Sequence, residues 1–242
     1  MEDKSIYNRQ MAHLKGNERE RYVKTTFKFV ARRYNMMNHL MTFGMDILLR
    51  KEVMRIARPR NGESLLDTGT GTGDLAREAH RACPGAVITA ADFSLEMMMA
   101  GKDWNGIRRC QADAQALPFK HDSFDVVASG YLVRNVADLD AALTEQYRVL
   151  KDGGRIVVLD TTRPRRNLLT PLIRLYFRLI IPALGRLLTG NREAYTYLTQ
   201  SSENFISAEA LVESLQRCGF SNVKFRARML GTMAIHSALK LQ

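Results

Sequence analysis

The stretch Leu65-Leu66-Asp67-Thr68-Gly69-Thr70-Gly71-Thr72-Gly73-Asp74-Leu75 constrains this chain more than any other. An apolar pair ends in a carboxylate, glycines follow at every second position, and an amphipathic segment opens at Asp74. That order reads as a buried strand, a tight turn and the start of a helix. Glycine has no Cβ, so a ligand can lie against the backbone of the turn. The turn falls at the carboxyl edge of the sheet, where open α/β folds bind ligands. A dinucleotide fingerprint is GxGxxG, with its helix N-terminus aimed at a pyrophosphate; the spacing here is GxGxG. Asp67 and Asp74 flank the turn, which suits a cationic amino-acid ligand better than a phosphate. Taken alone, the segment is also compatible with a plain strand-to-helix turn, so its surroundings must decide.

Downstream, short apolar runs alternate with helical spacing. Strands are expected at Ser64–Asp67, Ala86–Ala91, Ile107–Ala112, Phe124–Ser129 and Arg155–Asp160, with helices at Asp74–Cys83, Leu95–Lys102 and Leu139–Leu150. A helix at Ala208–Cys218 and strands at Asn222–Arg228 and Thr232–Leu239 follow, the last two as an antiparallel hairpin. Such alternation predicts a Rossmann-like α/β fold, a mostly parallel sheet with helices on both faces.

Two further acids fall at strand ends. Asp92, in Ala90-Ala91-Asp92-Phe93-Ser94, ends the second strand, where a carboxylate can accept both hydroxyls of a ribose. Asp113-Ala114 follows the third, where an acid can take an adenine amino group. Acids at three successive strand ends point to S-adenosyl-L-methionine. The candidate cofactor residues are Asp67, Gly69, Gly71, Thr72, Gly73, Asp92, Phe93, Asp113, Ala114 and Gly130.

Residues 61–242 therefore form the expected catalytic domain, with residues 1–60 as an N-terminal helical cap. In that cap, helices are expected over Glu18–Arg33 and Asp46–Ala57, joined by a Met-rich connector, Tyr34-Asn35-Met36-Met37-Asn38. Residues 163–192 interrupt the alternation as a basic, apolar lid. The net charge of +11 is unevenly placed, the excess lying in residues 1–60 and in 163–192, around a mildly acidic middle. Such patches serve nucleic acid, anionic lipid or a phosphorylated ligand. Leu168–Leu188 contains Arg174, Arg178 and Arg186 with Pro171 and Pro182, so it does not read as a membrane span. It could instead lie in a membrane interface, cap a lipid-tail tunnel, or pack as an ordinary lid. Cys83, Cys110 and Cys218 are scattered, and no His/Cys/Asp cluster has ligand spacing, so neither a disulfide framework nor a metal is expected. Met1–Gln10 is polar and carries no secretory signal, which fits a cytoplasmic setting. Gly130-Tyr131-Leu132-Val133 stands where amino-methylating enzymes of nucleic acid carry an Asn/Asp-Pro-Pro-Tyr type segment, so no nucleic acid is expected.

The chain resembles the ubiquinone/menaquinone biosynthesis C-methyltransferase family from about Val23 to Lys240. The resemblance rests on Tyr34…Met37-Asn38, Phe43-Gly44, Leu66-Asp67…Gly71-Thr72-Gly73-Asp74-Leu75, Ala116-Leu117-Pro118-Phe119, Arg134-Asn135-Val136, Tyr147-Arg148-Val149-Leu150-Lys151…Gly153-Gly154 and Tyr195…Tyr197-Leu198. It implies cofactor contacts at Thr72, Asp92, Asp113 and Ala114, and methylation of a ring carbon in a polyprenylated hydroquinone such as demethylmenaquinol. Where the family has Tyr-Asp, this chain has Tyr34-Asn35. Asp46 and Leu49 stand for a His and a Trp, Gly130 for a serine (with Ser129 beside it), and Asp160-Thr161-Thr162 for Glu-Phe-Ser. Arg134 is expected to stabilise a developing phenolate, directly or through a water, while Asn135 and Tyr34 orient the ring oxygens. His236, Asp160 and His39 are candidate general bases. A methyltransferase acting on another small or lipid-like acceptor, and a non-catalytic cofactor-binding scaffold, remain as alternatives. A homo-oligomer is compatible with all of these.

Overall fold

The computed structural model describes residues 34–163 and 205–241, with positions 31, 175, 179, 180 and 183 besides. Two helices come first, α1 (Tyr34–Met41) and α2 (Met45–Ala57). Alternation then begins with β1 (Ser64–Thr68), α3 (Asp74–Ala82), β2 (Val87–Asp92), α4 (Leu95–Ala100), β3 (Ile107–Gln111) and β4 (Phe124–Gly130). It ends with α5 (Leu139–Val149), β5 (Leu150–Thr161), α6 (Ala208–Arg217), β6 (Ser221–Arg228) and β7 (Met233–Leu239).

The strands form one seven-stranded sheet in the order β3-β2-β1-β4-β5-β7-β6. β1 lies parallel to β2 and β4, with Leu65 opposite both Ile88 and Val126. β7 runs antiparallel between β5 and β6, with His236 opposite Val158 on one side and Phe225 on the other. The expected Rossmann-like architecture and closing hairpin are therefore observed.

Successive residues of a strand point to opposite faces, and both faces here are covered. Leu65, Ile88, Ala90, Val126, Ala128, Val157 and Leu159 pack under α2 and α3, against Leu49, Val53, Leu75 and Ala79. Leu66, Val127, Ile156 and Val158 face the other way, under Leu143 of α5 and Leu211 and Leu215 of α6. Two-sided burial explains why β1 and β4 read as continuous apolar runs rather than alternating ones. It also places α2 within the same core as β1, so the second half of the expected cap is one of the covering helices of the sheet.

Three differences from the sequence reading have local causes. Tyr34–Met41 is a helix, not a connector; its Met, Leu and Asn residues include no Gly or Pro to break it until Thr42–Gly44, where Gly44 adopts φ +76°. β5 begins at Leu150 rather than Arg155, because pairing with β4 resumes across an irregularity: Phe124 faces Leu150 and Val126 faces Arg155, with Gly153 at φ +75° between. The expected helix over Glu18–Arg33 lies outside the described residues apart from Ala31. So does most of 163–192, of which the described Arg163, Leu175, Leu179, Ile180 and Ala183 are all exposed. Among the described residues no helix is long and apolar enough to cross a membrane.

Side chains cap most of the helices around the sheet. Ser94, Asp138 and Ser207 accept from Met97, Ala141 and Ala210 N–H groups at the starts of α4, α5 and α6. α3 differs. Gly73 is its N-cap and supplies no side chain.

Candidate active site

The strand order reverses between β1 and β4, and a cleft opens outside the carboxyl ends of those strands, at the switch point where such sheets bind ligands. With its open mouth it spans about 700 Å³. Its walls carry Asp67 from β1, Gly69, Gly71 and Thr72 from the turn after it, Asp92 from the end of β2 with Phe93 just past it, Gly130 from β4, and Tyr131, Leu132 and Asn135 from the loop beyond. A second cavity of about 470 Å³ adjoins it and shares Gly69, Asp92, Phe93, Leu132 and Asn135. Asp113 and Ala114 line that second space with Val136 and Ala137. All but two of the expected cofactor and catalytic residues with described side chains thus meet in one bent cleft.

The two that do not are Gly73 and Arg134, which line neither cavity. Gly73 has φ +83°, and a Cβ there would run into the Trp104 ring. Its lack of a side chain therefore serves helix entry and the packing of Trp104, not a ligand. Gly69 is also constrained by protein: at φ +69°, a Cβ would sit 2.6 Å from Leu132 Cδ1. Gly71 faces the open side, meeting only Met97 Cε at 3.3 Å.

Arg134 is expected from the sequence to reach a developing phenolate, directly or through a water. It is buried instead, with its guanidinium on Asp160 and its backbone N–H 3.1 Å from the same carboxylate. Asp160 also accepts the Thr161 N–H at 2.7 Å. The pair locks the loop after β4 onto the end of β5, and so sets the position of Tyr131, Leu132 and Asn135. Asn135 donates to the Tyr131 carbonyl at 2.7 Å, while its Oδ1 is buried without a hydrogen-bond partner among the described residues. Tyr34 opens α1, the helix that brings Asn35 and Asn38 to the cleft; Asn35 accepts from the Thr72 hydroxyl at 2.6 Å.

None of the three candidate bases lines either cavity. His236 packs on the Phe225 ring and its Nε2 lies 3.0 Å from the Ala208 carbonyl; burial pushes its pKa down. It is a structural residue of the closing hairpin. His39 sits 3.1 Å from Asp46, and Asp160 is engaged by Arg134. Ser129 is fully buried and faces away from the cleft side occupied by Gly130. Sequence reasoning did not single out Asn38 and Arg50, which also line the cleft. The signals were present: Asn38 lies in the Tyr34…Asn38 motif, and Arg50 stands four residues after Asp46, the spacing of a helical ion pair.

The electrostatics are those of an acidic cleft. Burial drives the pKa of Asp67 up to about 7, against hydrogen bonds from Thr70 and the Ala76 N–H that pull it down. Burial likewise raises Asp92 to about 6, although it accepts the Gly71 and Ser94 N–H groups at 2.7 and 2.8 Å. A positively charged ligand favours the ionised form of both.

Fold and cleft together define a class I S-adenosylmethionine-dependent methyltransferase. The chain belongs to the ubiE/COQ5 methyltransferase family, whose profile matches residues 15–240. It is 42% identical over 221 residues to the ubiquinone/menaquinone biosynthesis C-methyltransferase UbiE of Desulfotalea psychrophila, covering 90% of each chain. It is 39% identical to the demethylmenaquinone methyltransferase of Thermus thermophilus, covering 87% of this chain and 97% of the relative. In fold it is similar to Haemonchus contortus phosphoethanolamine N-methyltransferase 2, in complex with phosphomonomethylethanolamine and S-adenosylhomocysteine. There the TM-score is 0.64 at 17% identity, covering 89% of this chain and 60% of that one.

The residues present fit S-adenosylmethionine. Asp67 Oδ1, Asn38 Nδ2 and Asn135 Oδ1 are buried, border the cleft and have no hydrogen-bond partner among the described residues. Each oxygen of Asp92 accepts one N–H and retains capacity for a ribose hydroxyl. Phe93, Leu132 and Val136 offer apolar surface to a base beside Asp113.

Two measurements check this account. The raised pKa values mean that folded protein holds more protons than unfolded between about pH 4 and 7, so the ligand-free protein loses stability as pH rises through that window. Cofactor affinity runs the other way and rises by about tenfold from pH 5.5 to 7.5 as the carboxylates ionise. Thermal melts and calorimetric titrations across that range should show opposite slopes, and Asp67→Asn should flatten both. For the buried ion pair, Arg134→Met or Asp160→Leu alone should cost about 3–5 kcal/mol in urea unfolding, and the double variant less than the sum.

Proposed function

We propose that this chain transfers the methyl group of S-adenosylmethionine to a ring carbon of a polyprenylated hydroquinone such as demethylmenaquinol. Among the relatives, enzymes named for ubiquinone/menaquinone biosynthesis C-methylation and for demethylmenaquinone methylation recur at 34–42% identity over most of the chain. The observation that carries the reading to this site is Asn135 Oδ1, a buried acceptor on both cavities within a wall of Tyr131, Leu132 and Leu159. An aromatic ring with one or two hydroxyls suits an apolar wall with few polar groups.

The cofactor, when bound, supplies an electrophilic methyl group on a sulfonium. Asp67, Asp92 and Asp113 hold its amino-acid, ribose and adenine parts. Asn135 accepts a hydrogen bond from a ring hydroxyl at Oδ1 and turns the adjacent ring carbon toward the Gly130–Tyr131 end of the cleft. Tyr131 and Leu132 exclude water from that end, and holding the two reactants in register supplies much of the rate. Arg134 is a positioning residue that keeps Asn135 in place through Asp160. Tyr34 belongs to this proposal as the first residue of the helix that closes the same wall.

The exposed Leu175, Leu179 and Ile180, among arginines in sequence, support docking of residues 163–192 on an anionic membrane that holds the lipid-tailed substrate. Co-sedimentation with anionic vesicles should be strong at low salt and fade as salt rises; no binding at low salt would remove this part of the proposal.

The decisive assay supplies labelled S-adenosylmethionine with chemically reduced demethylmenaquinone, and with the oxidised quinone as control. Label should enter only the reduced ring. Tight cofactor binding with no transfer to either form would shift the assignment to another lipid-like acceptor or to a scaffold.

A further inference from the structure

The acidic character of the cleft leaves one part of the cofactor unaccounted for. S-adenosylmethionine carries a single anionic group, its α-carboxylate, and Asp67, Asp74 and Asp92 all line the space where it must go. Among the described residues lining the cleft, the one cationic side chain is Arg50 of α2. We propose that Arg50, assisted by the Asn38 amide, anchors the α-carboxylate of the cofactor, and that Asp46 is the positioning residue that aims it.

The hydrogen-bond pattern around Arg50 suits that task. Its Nη1 lies 2.7 Å from Asp46 Oδ2, within the range of a strong charged hydrogen bond. Asp46 is itself fixed, 3.1 Å from the Thr42 hydroxyl and 3.1 Å from His39 Nδ1. The other nitrogen, Nη2, makes a longer 3.3 Å contact with Asp74 Oδ2. A guanidinium presents five N–H donors in a rigid fork, so one edge can stay on Asp46 while the other takes a second carboxylate. The contact with Asp74 is the exchangeable one. Asp74 keeps Arg77 and the Asn35 amide, the latter at 3.1 Å, when Arg50 turns to the ligand. Burial works against the Arg50 charge, yet Asp74, Tyr131 and Asp46 more than compensate and hold its pKa above the ordinary range. The guanidinium is therefore a permanent cation with a side-chain exposure of only 12%. Asn38 contributes a buried Nδ2 with no hydrogen-bond partner among the described residues, bordering the same cleft.

The inference rests on the cofactor assignment, and one experiment separates the two. Affinities of S-adenosylmethionine and of decarboxylated S-adenosylmethionine, which lacks only the α-carboxylate, are measured by calorimetry on the full chain. Wild type should prefer the complete cofactor by roughly 10- to 100-fold, the worth of a charged hydrogen-bonded contact. Arg50→Met should lose that preference while binding the decarboxylated ligand within about twofold of wild type. Arg50→Lys keeps the charge without the fork; it should retain part of the preference, and supplies the same readout should Arg50→Met fail to fold. Equal binding of both ligands by wild type, or equal weakening of both by either variant, would overturn the role of Arg50. If wild type binds neither ligand, the cofactor assignment itself is wrong.

Discussion

The burial of two carboxylates at the ends of neighbouring parallel strands governs most of what surrounds the cleft. Asp67, next to last in β1, accepts from the Thr70 hydroxyl at 2.6 Å, and the Thr70 carbonyl in turn accepts the Gly73 N–H at the entry of α3. Asp92 ends β2 and takes the N–H groups of Gly71 and Ser94. The shape of the glycine turn, the entry of α3 and the approach to α4 therefore all hang on these two acids. Holding them away from water is unfavourable, as their raised pKa values record. A cation in the cleft relieves that penalty, so the strain that shapes the loop also selects the charge of its ligand.

A second buried pair does comparable work on the opposite side. Arg134 and Asp160 sit on β4's following loop and on β5, and their contact joins the two beside the cleft. Such a pair contributes little net stability once its desolvation is counted. What it provides is position: the Arg134 N–H and guanidinium both bind one carboxylate, so the loop cannot slide along β5 without breaking that contact. Tyr131, at φ +62°, is held in a left-handed conformation within that same loop, with its N–H on the Leu159 carbonyl at 2.7 Å. A strained residue persists where its neighbours over-determine it, and here they do.

The β1-turn-α3 unit, the strand alternation and the three acids were legible because each is local. A strand end, a glycine spacing and an acid offset all lie within one βαβ unit, where sequence distance and spatial distance agree. Arg134 was misread because its partner is 26 residues away on another strand; nothing near it in sequence reveals whether it faces solvent or core. The acids nearest in sequence, Asp138 and Asp140, are surface groups at the start of α5, and Asp140 bonds Arg217 instead. His236 looked reactive as a lone histidine in an apolar run, yet its register opposite Phe225 gives it a stacking partner and a backbone acceptor. The α1 segment was taken for a connector because it is only eight residues long, too short for periodicity to distinguish it from a loop.

What separates this chain from fold neighbours of similar shape lies where the sheet itself exerts least control. A phosphoethanolamine methyltransferase shares the fold at 17% identity, so the architecture alone does not choose the acceptor. The elements free to differ are the loop after β4 and the helices before β1, and in this chain both close on the same cleft. Leu132 shows how tightly the two functions are joined. It fills the space over Gly69 that a side chain at that glycine would take, and it also lines both cavities. A change at Leu132 would therefore reshape both cavities and loosen the glycine turn together. The α1 side of the cleft is less tied to the packing of the turn: there the contact runs through a polar pair, Asn35 with Thr72.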